Sequence, residues 1–385
     1  MNTRTWAEIN LDALKENAQN IRKRTEKNAM VMGVVKADAY GHGAVEVSKC
    51  LLENGIDRLA VADLDEAIEL RTAGITAEIL ILGATAAEEC EELVEYDITA
   101  TGFSYEFARA LSEAAVKKGK TAKLHIKIDT GMSRIGYVAG ENDEVLTDEI
   151  IKISKLSNIF VEGIFSHFAT SDEADSGFTK KQFAEFMAVC SLLEEKGLKI
   201  PIRHIANSAA IMSYPETHLE MVRAGVILYG LYPSDEVDKN AVKLRPVMTL
   251  KSRITHIKEI EERSVSYGRT YIAHGQKRVA TVPLGYADGY TRLLTGKAKM
   301  IAKDKTAEVI GRICMDQCMI DVTNVHNINV GDEVIIFGEG DVKAETLANA
   351  LGTINYEIVC MVARRIPRIY LVEGGVIKTV NYLKK

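Results

Sequence analysis

Reactive side chains cluster in Lys36-Ala37-Asp38-Ala39-Tyr40-Gly41-His42-Gly43, directly after the apolar run 31–35. A lysine at the end of a buried strand is partly desolvated, which lowers its pKa and frees the amine for Schiff-base chemistry. Taken alone, a rim lysine that snorkels into solvent is the commoner arrangement. The neighbouring residues favour chemistry, because Gly41 and Gly43 permit a tight turn and the Tyr40 hydroxyl can donate to an anion.

Further polar groups follow other apolar runs. They are Lys127, Asp129 and Arg134; Ser166-His167-Phe168; His204 with Asn207-Ser208; and Arg223 with Gly225-Val226. The Ser208 hydroxyl and the backbone N–H groups of Gly225 and Val226 could receive a phosphate. Ser208 read only as a helix N-cap is compatible with the same role. A phosphate site opposite a Schiff-base lysine points to pyridoxal 5'-phosphate.

The elements that must position these groups are eight strand-like runs at 31–35, 59–61, 78–82, 98–101, 123–128, 161–165, 203–206 and 220–228. Amphipathic stretches such as 65–72, 105–118 and 180–196 separate them, and Asp12 reads as the N-cap of the first helix. Eight alternating units predict an α/β fold, a (β/α)8 TIM-like barrel, with an open doubly wound sheet as the competitor. In a barrel the chemistry lies at the C-terminal strand ends, where the polar groups above fall. Near Arg245-Pro246 the texture changes to short alternating runs and turns, followed by helical stretches at 344–351 and 353–364. The expected division is a barrel over residues 1–242 and a mostly β C-terminal domain over 243–385. The first strand-like residues are free to pack with the latter.

The chain has 385 residues, 47% hydrophobic and 26% charged, with a net charge of -6, which speaks against a nucleic-acid surface. The N-terminus lacks the apolar core of a signal peptide, and no apolar run approaches the ~20 residues of a membrane span. The six cysteines form no disulfide framework, and Cys314 with Cys318 lacks partners for a metal site. A cytoplasmic protein without a bound metal is expected.

The segment 35–43 resembles the cofactor-lysine signature of alanine racemases. The likeness continues through 127–136, 166–168, 204–209, 223–225, Val265-Ser266-Tyr267-Gly268, Gly285-Tyr286-Ala287-Asp288-Gly289, Cys314-Met315-Asp316 and Ile354-Asn355-Tyr356-Glu357. It runs in order along almost the whole chain. Such enzymes join a pyridoxal-phosphate barrel to a β domain in a homodimer with shared active sites.

The resemblance implies that Lys36 holds the cofactor, and that Tyr40, Ser208, Gly225, Val226 and Tyr356 bind its phosphate. Arg223 would face the pyridine nitrogen; the competing reading is a barrel-interior salt bridge of Arg223 with Glu220 or a neighbouring acid. Lys36 and Tyr267 would be the two bases on opposite faces of the substrate. A tyrosine ordinarily ionises near pH ~10, so Tyr267 needs cationic help, which His167 would relay from Arg223 and His204 would extend. Arg134 and the Met315 N–H would take the substrate carboxylate, with Asp316 nearby and Lys127, Asn207 and Tyr286 in support. In some relatives the lysine matching Lys127 is carbamylated. Asp172, Arg292, Arg312 and Ile354 match residues lining the substrate channel. Ser133 and Ala224 replace the glycine and proline common in relatives.

The implied function is interconversion of L- and D-alanine, supplying D-alanine for peptidoglycan. A fold-related amino-acid decarboxylase, a non-catalytic cofactor-binding protein, and a racemase of serine or a basic amino acid are the alternatives.

Overall fold

The computed structural model describes residues 4–338 and 340–384. Leu14–Ala39 with Ala44–Arg245 form one compact unit, and the described residues through Ala13, Tyr40–Gly43 and the described residues from Pro246 onward form another. The first strand, β1 (Thr5–Asn10), belongs to the second of these units.

The larger unit holds strands β2 (Met30–Val34), β3 (Arg58–Val61), β4 (Ile79–Ile81), β5 (Ala100–Gly102) and β6 (Ala122–Asp129). After the two-residue β7 (Tyr137–Val138), which pairs with β6, come β8 (Ile159–Phe165), β9 (Ile202–His204) and β10 (Met221–Ala224). Parallel ladders run β10-β2-β3-β4 and β5-β6-β8-β9. A parallel bridge between Leu80 and Thr99 joins the two ladders on one side, and Arg223 N–H donates to Ala206 O at 3.0 Å on the other. Eight parallel strands thus close into a (β/α)8 barrel, not an open doubly wound sheet. The strands are largely apolar because helices cover the outside, and the polar residues they carry, such as His125, Glu162, His204 and Arg223, are paired with one another. Examples are Leu64–Thr72, Tyr105–Lys118 and Gly177–Glu195. The last strand is shorter than the apolar run 220–228 suggests. Val226–Tyr229 is a 3-10 turn, so apolar residues there fill space beyond the strand end.

The first helix, Leu11–Arg24, is capped by Asn10, whose Oδ1 accepts the Ala13 N–H at 3.0 Å. Asp12 sits one step inside and accepts the Glu373 N–H at 2.6 Å, so the expected cap lies two residues too late.

The smaller unit is built on a ten-stranded sheet. Its further strands are β11 (Met248–Arg253), β12 (His256–Glu261), β13 (Ser264–Val265), β14 (Tyr271–Ile272), β15 (Gln276–Val282), β16 (Lys299–Ala302), β17 (Lys305–Ile310), β18 (Cys318–Asp321), β19 (Glu333–Phe337), β20 (Arg368–Val372) and β21 (Gly375–Val380). The order is β12-β15-β18-β17-β16-β19-β11-β1-β20-β21, with β13 and β14 forming a separate hairpin. β1 lies antiparallel to β11 and parallel to β20, which ties the start of the chain into this sheet. The late helix spans Asn355–Cys360 and is shorter than the periodic stretch 353–364.

The Tyr40–Gly43 segment is fixed to this unit through its carbonyls. Arg368 Nε donates to Gly41 O at 2.9 Å, and the Tyr370 hydroxyl to His42 O at 3.1 Å. A Cβ on Gly41 would lie 2.3 Å from Val359 O, and one on Gly43 only 1.8 Å from the Tyr370 hydroxyl. The two glycines therefore serve close backbone approach as well as positive φ.

Within the barrel unit, Asn17 is fully buried and bridges the first helix to the loop 228–245. Its Nδ2 donates to Leu228 O (3.0 Å) and Arg245 O (2.8 Å), and its Oδ1 accepts the Arg245 N–H (2.8 Å). Asn17→Ala leaves these backbone groups without partners and is expected to lower the apparent Tm by about 3–8 °C, measured by thermal unfolding.

Candidate active site

Val35 donates its N–H to Ala60 O at 2.8 Å, continuing the β2 ladder to the residue before Lys36. Ala37, Asp38, Ala39 and Tyr40 then all have φ between 52 and 54°, a left-handed turn of L-residues. Such a turn costs about 1–2 kcal/mol per residue, or about 4–8 in all. Glu66 offsets much of this. Its two carboxylate oxygens accept the Ala37 N–H (2.6 Å) and the Ala62 N–H (2.7 Å), charge-assisted bonds of about 1.5–3 kcal/mol each. Asp38 Oδ1 also accepts the Ala44 N–H at 2.9 Å. The strained turn sets the direction of the chain after Lys36. Glu66 was not foreseen, although Asp63-Leu64-Asp65-Glu66 is a readable helix-start pattern, with Asp63 capping Glu66 N–H at 3.0 Å.

At the ends of β8, β9 and β10 lies a polar cluster around Arg223, only 3% exposed. Its Nη1 donates to His204 Nδ1 (2.9 Å) and His204 O (3.2 Å). Its Nη2 donates to Ser166 O (2.8 Å), His167 Nδ1 (3.1 Å) and Ile205 O (3.1 Å). Every acceptor is uncharged. Glu220, the competing partner, is occupied by Arg203 at 2.7 Å. Burial, and then the nearby Arg134, lower Arg223 from 12.5 to about 9, which keeps it charged at neutral pH. Because arginine only donates, the Nδ1 atoms of His167 and His204 must carry lone pairs. Burial and Arg223 hold both rings well below their usual range, so both are neutral with their protons on Nε2.

Lys127 is buried beside this cluster, and its Nζ donates to Ile128 O at 2.7 Å. Burial, with Arg223 next, lowers it from 10.5 to about 7. Asp129 Oδ1 accepts the N–H groups of Gly131 (2.9 Å) and Ser133 (3.0 Å), folding the loop that presents Arg134. Arg134 is exposed and makes no side-chain hydrogen bond or ion pair among the described residues. Ser208 opens the short helix Ser208–Ser213 and accepts the Gly225 N–H at 3.0 Å, leaving its own proton to donate. The helix cap is Asn207, whose Oδ1 accepts the Ala210 N–H and the Ser171 hydroxyl.

The smaller unit carries the other predicted residues. The Tyr40 and Tyr356 rings lie 6.2 Å apart. Tyr267 starts a 3-10 turn after Ser266, whose hydroxyl donates to Arg312 O at 2.5 Å, and is 66% exposed. The Met315 carbonyl accepts the Ala287 N–H, and its own N–H has no partner among the described residues. Tyr286 donates its N–H to Cys314 O at 3.1 Å. Arg365, which sequence reasoning missed, links Asp316 (2.6 Å) to the buried Asp288 (2.7 Å). Only Asp288 in the 285–289 motif hinted at this pair. Asp172, in the larger unit, accepts the Ser234 hydroxyl through its carbonyl, and among the described residues no contact ties its side chain, or those of Arg292 and Ile354, to the other site residues.

Two family models match: the alanine racemase N-terminal domain over residues 9–233 and its C-terminal domain over 247–370. Alanine racemase 1 of Clostridium acetobutylicum is 53% identical over 382 residues, covering 98% of each chain. The alanine racemase of Methanococcus maripaludis is 52% identical over 370 residues, covering 95% of this chain and 98% of its own. The chain belongs to the alanine racemase family. Among solved structures, alanine racemase of Clostridium difficile 630 superposes with a TM-score of 0.97 at 48% identity, covering all of both chains. That of Bacillus anthracis with bound L-Ala-P gives 0.93 at 35% identity, covering 100% and 99%.

Alanine racemases are pyridoxal-phosphate-dependent isomerases, and the residues of this barrel fit the cofactor. The Ser208 hydroxyl retains a proton to donate, and the buried, donor-only Arg223 has its Nε unengaged among the described residues.

The lowered pKa of Lys127 gives a sign. The folded state binds fewer protons than the unfolded state between pH about 7 and 10.5, so the penalty for burying this lysine is full below pH 7 and fades as pH rises to 10.5. Lys127→Met should therefore raise the thermal midpoint most near pH 6, with the advantage shrinking toward pH 10, followed by scanning calorimetry across that range.

Proposed function

We propose that this protein interconverts L- and D-alanine with Lys36 and Tyr267 as opposed acid–base groups. The carrying observation is Arg223: buried, charged and bonded only to neutral acceptors, on the strand paired with β2, which leads into Lys36. We assign cofactor attachment to Lys36, and phosphate binding to Tyr40, Ser208, Gly225, Val226 and Tyr356. Bound there, pyridoxal phosphate supplies an electron sink that acidifies the α-proton of the attached amino acid. Because Arg223 can only donate, it would leave a pyridine nitrogen placed against it unprotonated, which would moderate the sink and disfavour transamination.

Lys36 Nζ takes or returns the α-proton on one face, and the phenolic oxygen of Tyr267 does so on the other. His167 supports this, because Arg223 occupies its Nδ1 and leaves Nε2–H as the donor that can stabilise a phenolate. His204 steadies Arg223 from the opposite side. The unpartnered Arg134 guanidinium and Met315 N–H receive the substrate carboxylate, while Arg365 fixes Asp316 beside Met315. Lys127, Asn207 and Tyr286 keep supporting roles. Asp172, Arg292, Arg312 and Ile354 line the approach. Tyr356, Ile354 and Met315 keep the substrate small, favouring alanine over serine.

The proposed assembly is a cytoplasmic homodimer without nucleic-acid or membrane partners, supplying D-alanine for peptidoglycan. No described helix is long and apolar enough to cross a membrane. The exposure of Tyr267 (66%), Met315 (54%), Ile354 (57%) and Leu293 (70%) in a single chain supports a second copy covering these side chains. In that assembly the partner subunit's Tyr267 completes each site. We retain the division into domains at 1–242 and 243–385 as a working boundary.

Borohydride reduction followed by peptide mapping should find the cofactor on Lys36, in a protein that racemises alanine and releases no carbon dioxide. Label on another lysine, or gas evolution, would sink the reading. Mixing inactive Lys36→Ala and Tyr267→Phe proteins should restore about one working site per hybrid dimer after subunit exchange. No recovery after verified exchange would place both bases in one chain.

A further inference from the structure

Beneath Arg223, the barrel interior is crossed by a second set of polar residues that the proposed reaction does not use. His204 Nε2 lies 2.8 Å from His125 Nδ1, and His125 Nε2 lies 3.0 Å from Glu162 Oε2. Arg58 closes the line, its Nη1 2.6 Å and Nη2 3.3 Å from the two Glu162 oxygens. His125 and His204 are fully buried, Glu162 is buried, and Arg58 at the outer end is partly exposed.

The chemistry of the two ends fixes every proton between them. Arg223 can only donate, so His204 Nδ1 accepts and its proton sits on Nε2. That N–H donates to His125 Nδ1, which must be bare, so the His125 proton also sits on Nε2 and donates to Glu162. A carboxylate can only accept, which agrees with this direction. Burial raises the Glu162 pKa, but hydrogen bonds from His125 and Arg58 outweigh it and hold the group near about 2. An added proton on either ring would set two N–H groups against each other, so both imidazoles are locked neutral.

The backbone makes room for this line. His125 on β6 is in register with Gly163 on β8, beside a register shift at Leu124/His125. A Cβ on Gly163 would lie 2.4 Å from His125 Nδ1. Glu162 and Gly163 thus supply the acceptor and the space for one ring.

We infer that Glu162, His125 and Arg58 are positioning residues that hold His204 in its Nε2–H form and thereby orient the Arg223 guanidinium at the cofactor end of the barrel. The consequence for turnover rests on the proposed role of Arg223; the proton order does not.

Nitrogen-15 NMR of histidine-labelled holoprotein should show His204 and His125 each with bare Nδ1 and protonated Nε2. A protonated Nδ1 on His204 in the wild type overturns the inference without any variant. Glu162→Gln keeps an acceptor oxygen and should preserve this state, with kcat for alanine within about threefold. The double variant Arg58→Met with Glu162→Leu removes the acceptor without stranding a cation. It should give mixed His204 protonation forms and a kcat lowered about tenfold or more, with KM within about threefold. A folded double variant that keeps the wild-type nitrogen spectrum overturns the inference. A changed spectrum with unchanged kcat instead leaves the proton order standing and removes the role proposed for Arg223.

Discussion

Burying the Arg223 guanidinium without a carboxylate is the constraint around which the barrel interior is organised. An isolated buried cation is expensive, and the usual remedy is an adjacent acid. Here the charge is met by three carbonyl oxygens and two imidazole nitrogens, all neutral. Hydrogen bonds of this kind satisfy the donors without cancelling the charge. The group therefore still projects a positive field toward whatever lies next to it, as an ion-paired arginine would not.

That choice propagates. The two imidazoles can accept from Arg223 only while they are neutral, and they remain neutral because burial and the same positive charge oppose their protonation. Lys127, in the same field, is brought down to about 7 for the same reasons. Among the described residues, the only carboxylate joined to this network, Glu162, enters beyond two imidazoles and shares its charge with Arg58. Negative charge is kept at a distance from Arg223 while both of its Nη groups are satisfied.

Much of this organisation was legible in sequence, because it depends on order along the chain. The eight strand runs, the polar residues after them and the break at Arg245-Pro246 follow from periodicity and local composition. Partners brought in by the fold were not. Glu66 reaches across to Ala37, Glu162 to His125 and Arg365 to Asp288, and none of these pairs is near in sequence. Boundaries failed for a related reason: Asn10 rather than Asp12 caps the first helix, and the last strand stops at Ala224 where the apolar run does not. Hydrophobicity reports burial, and buried residues continue past the end of a strand into the turn that covers it.

The turn after Lys36 shows how a local violation is tolerated. Four L-residues at positive φ contradict every propensity, and a chain free to choose would leave that region. Glu66 offsets much of that cost by binding N–H groups from two strand ends at once, Ala37 and Ala62. Burial removes part of the carboxylate's water shell, which raises its pKa against the opposing bonds from Ala62 and Ala37 and strengthens those bonds electrostatically. Strain is thus confined to the residues next to the candidate catalytic lysine and held by a group that performs no chemistry. The Arg223 cluster follows the same rule, with reactive groups at the strand ends and the groups that constrain them one layer deeper.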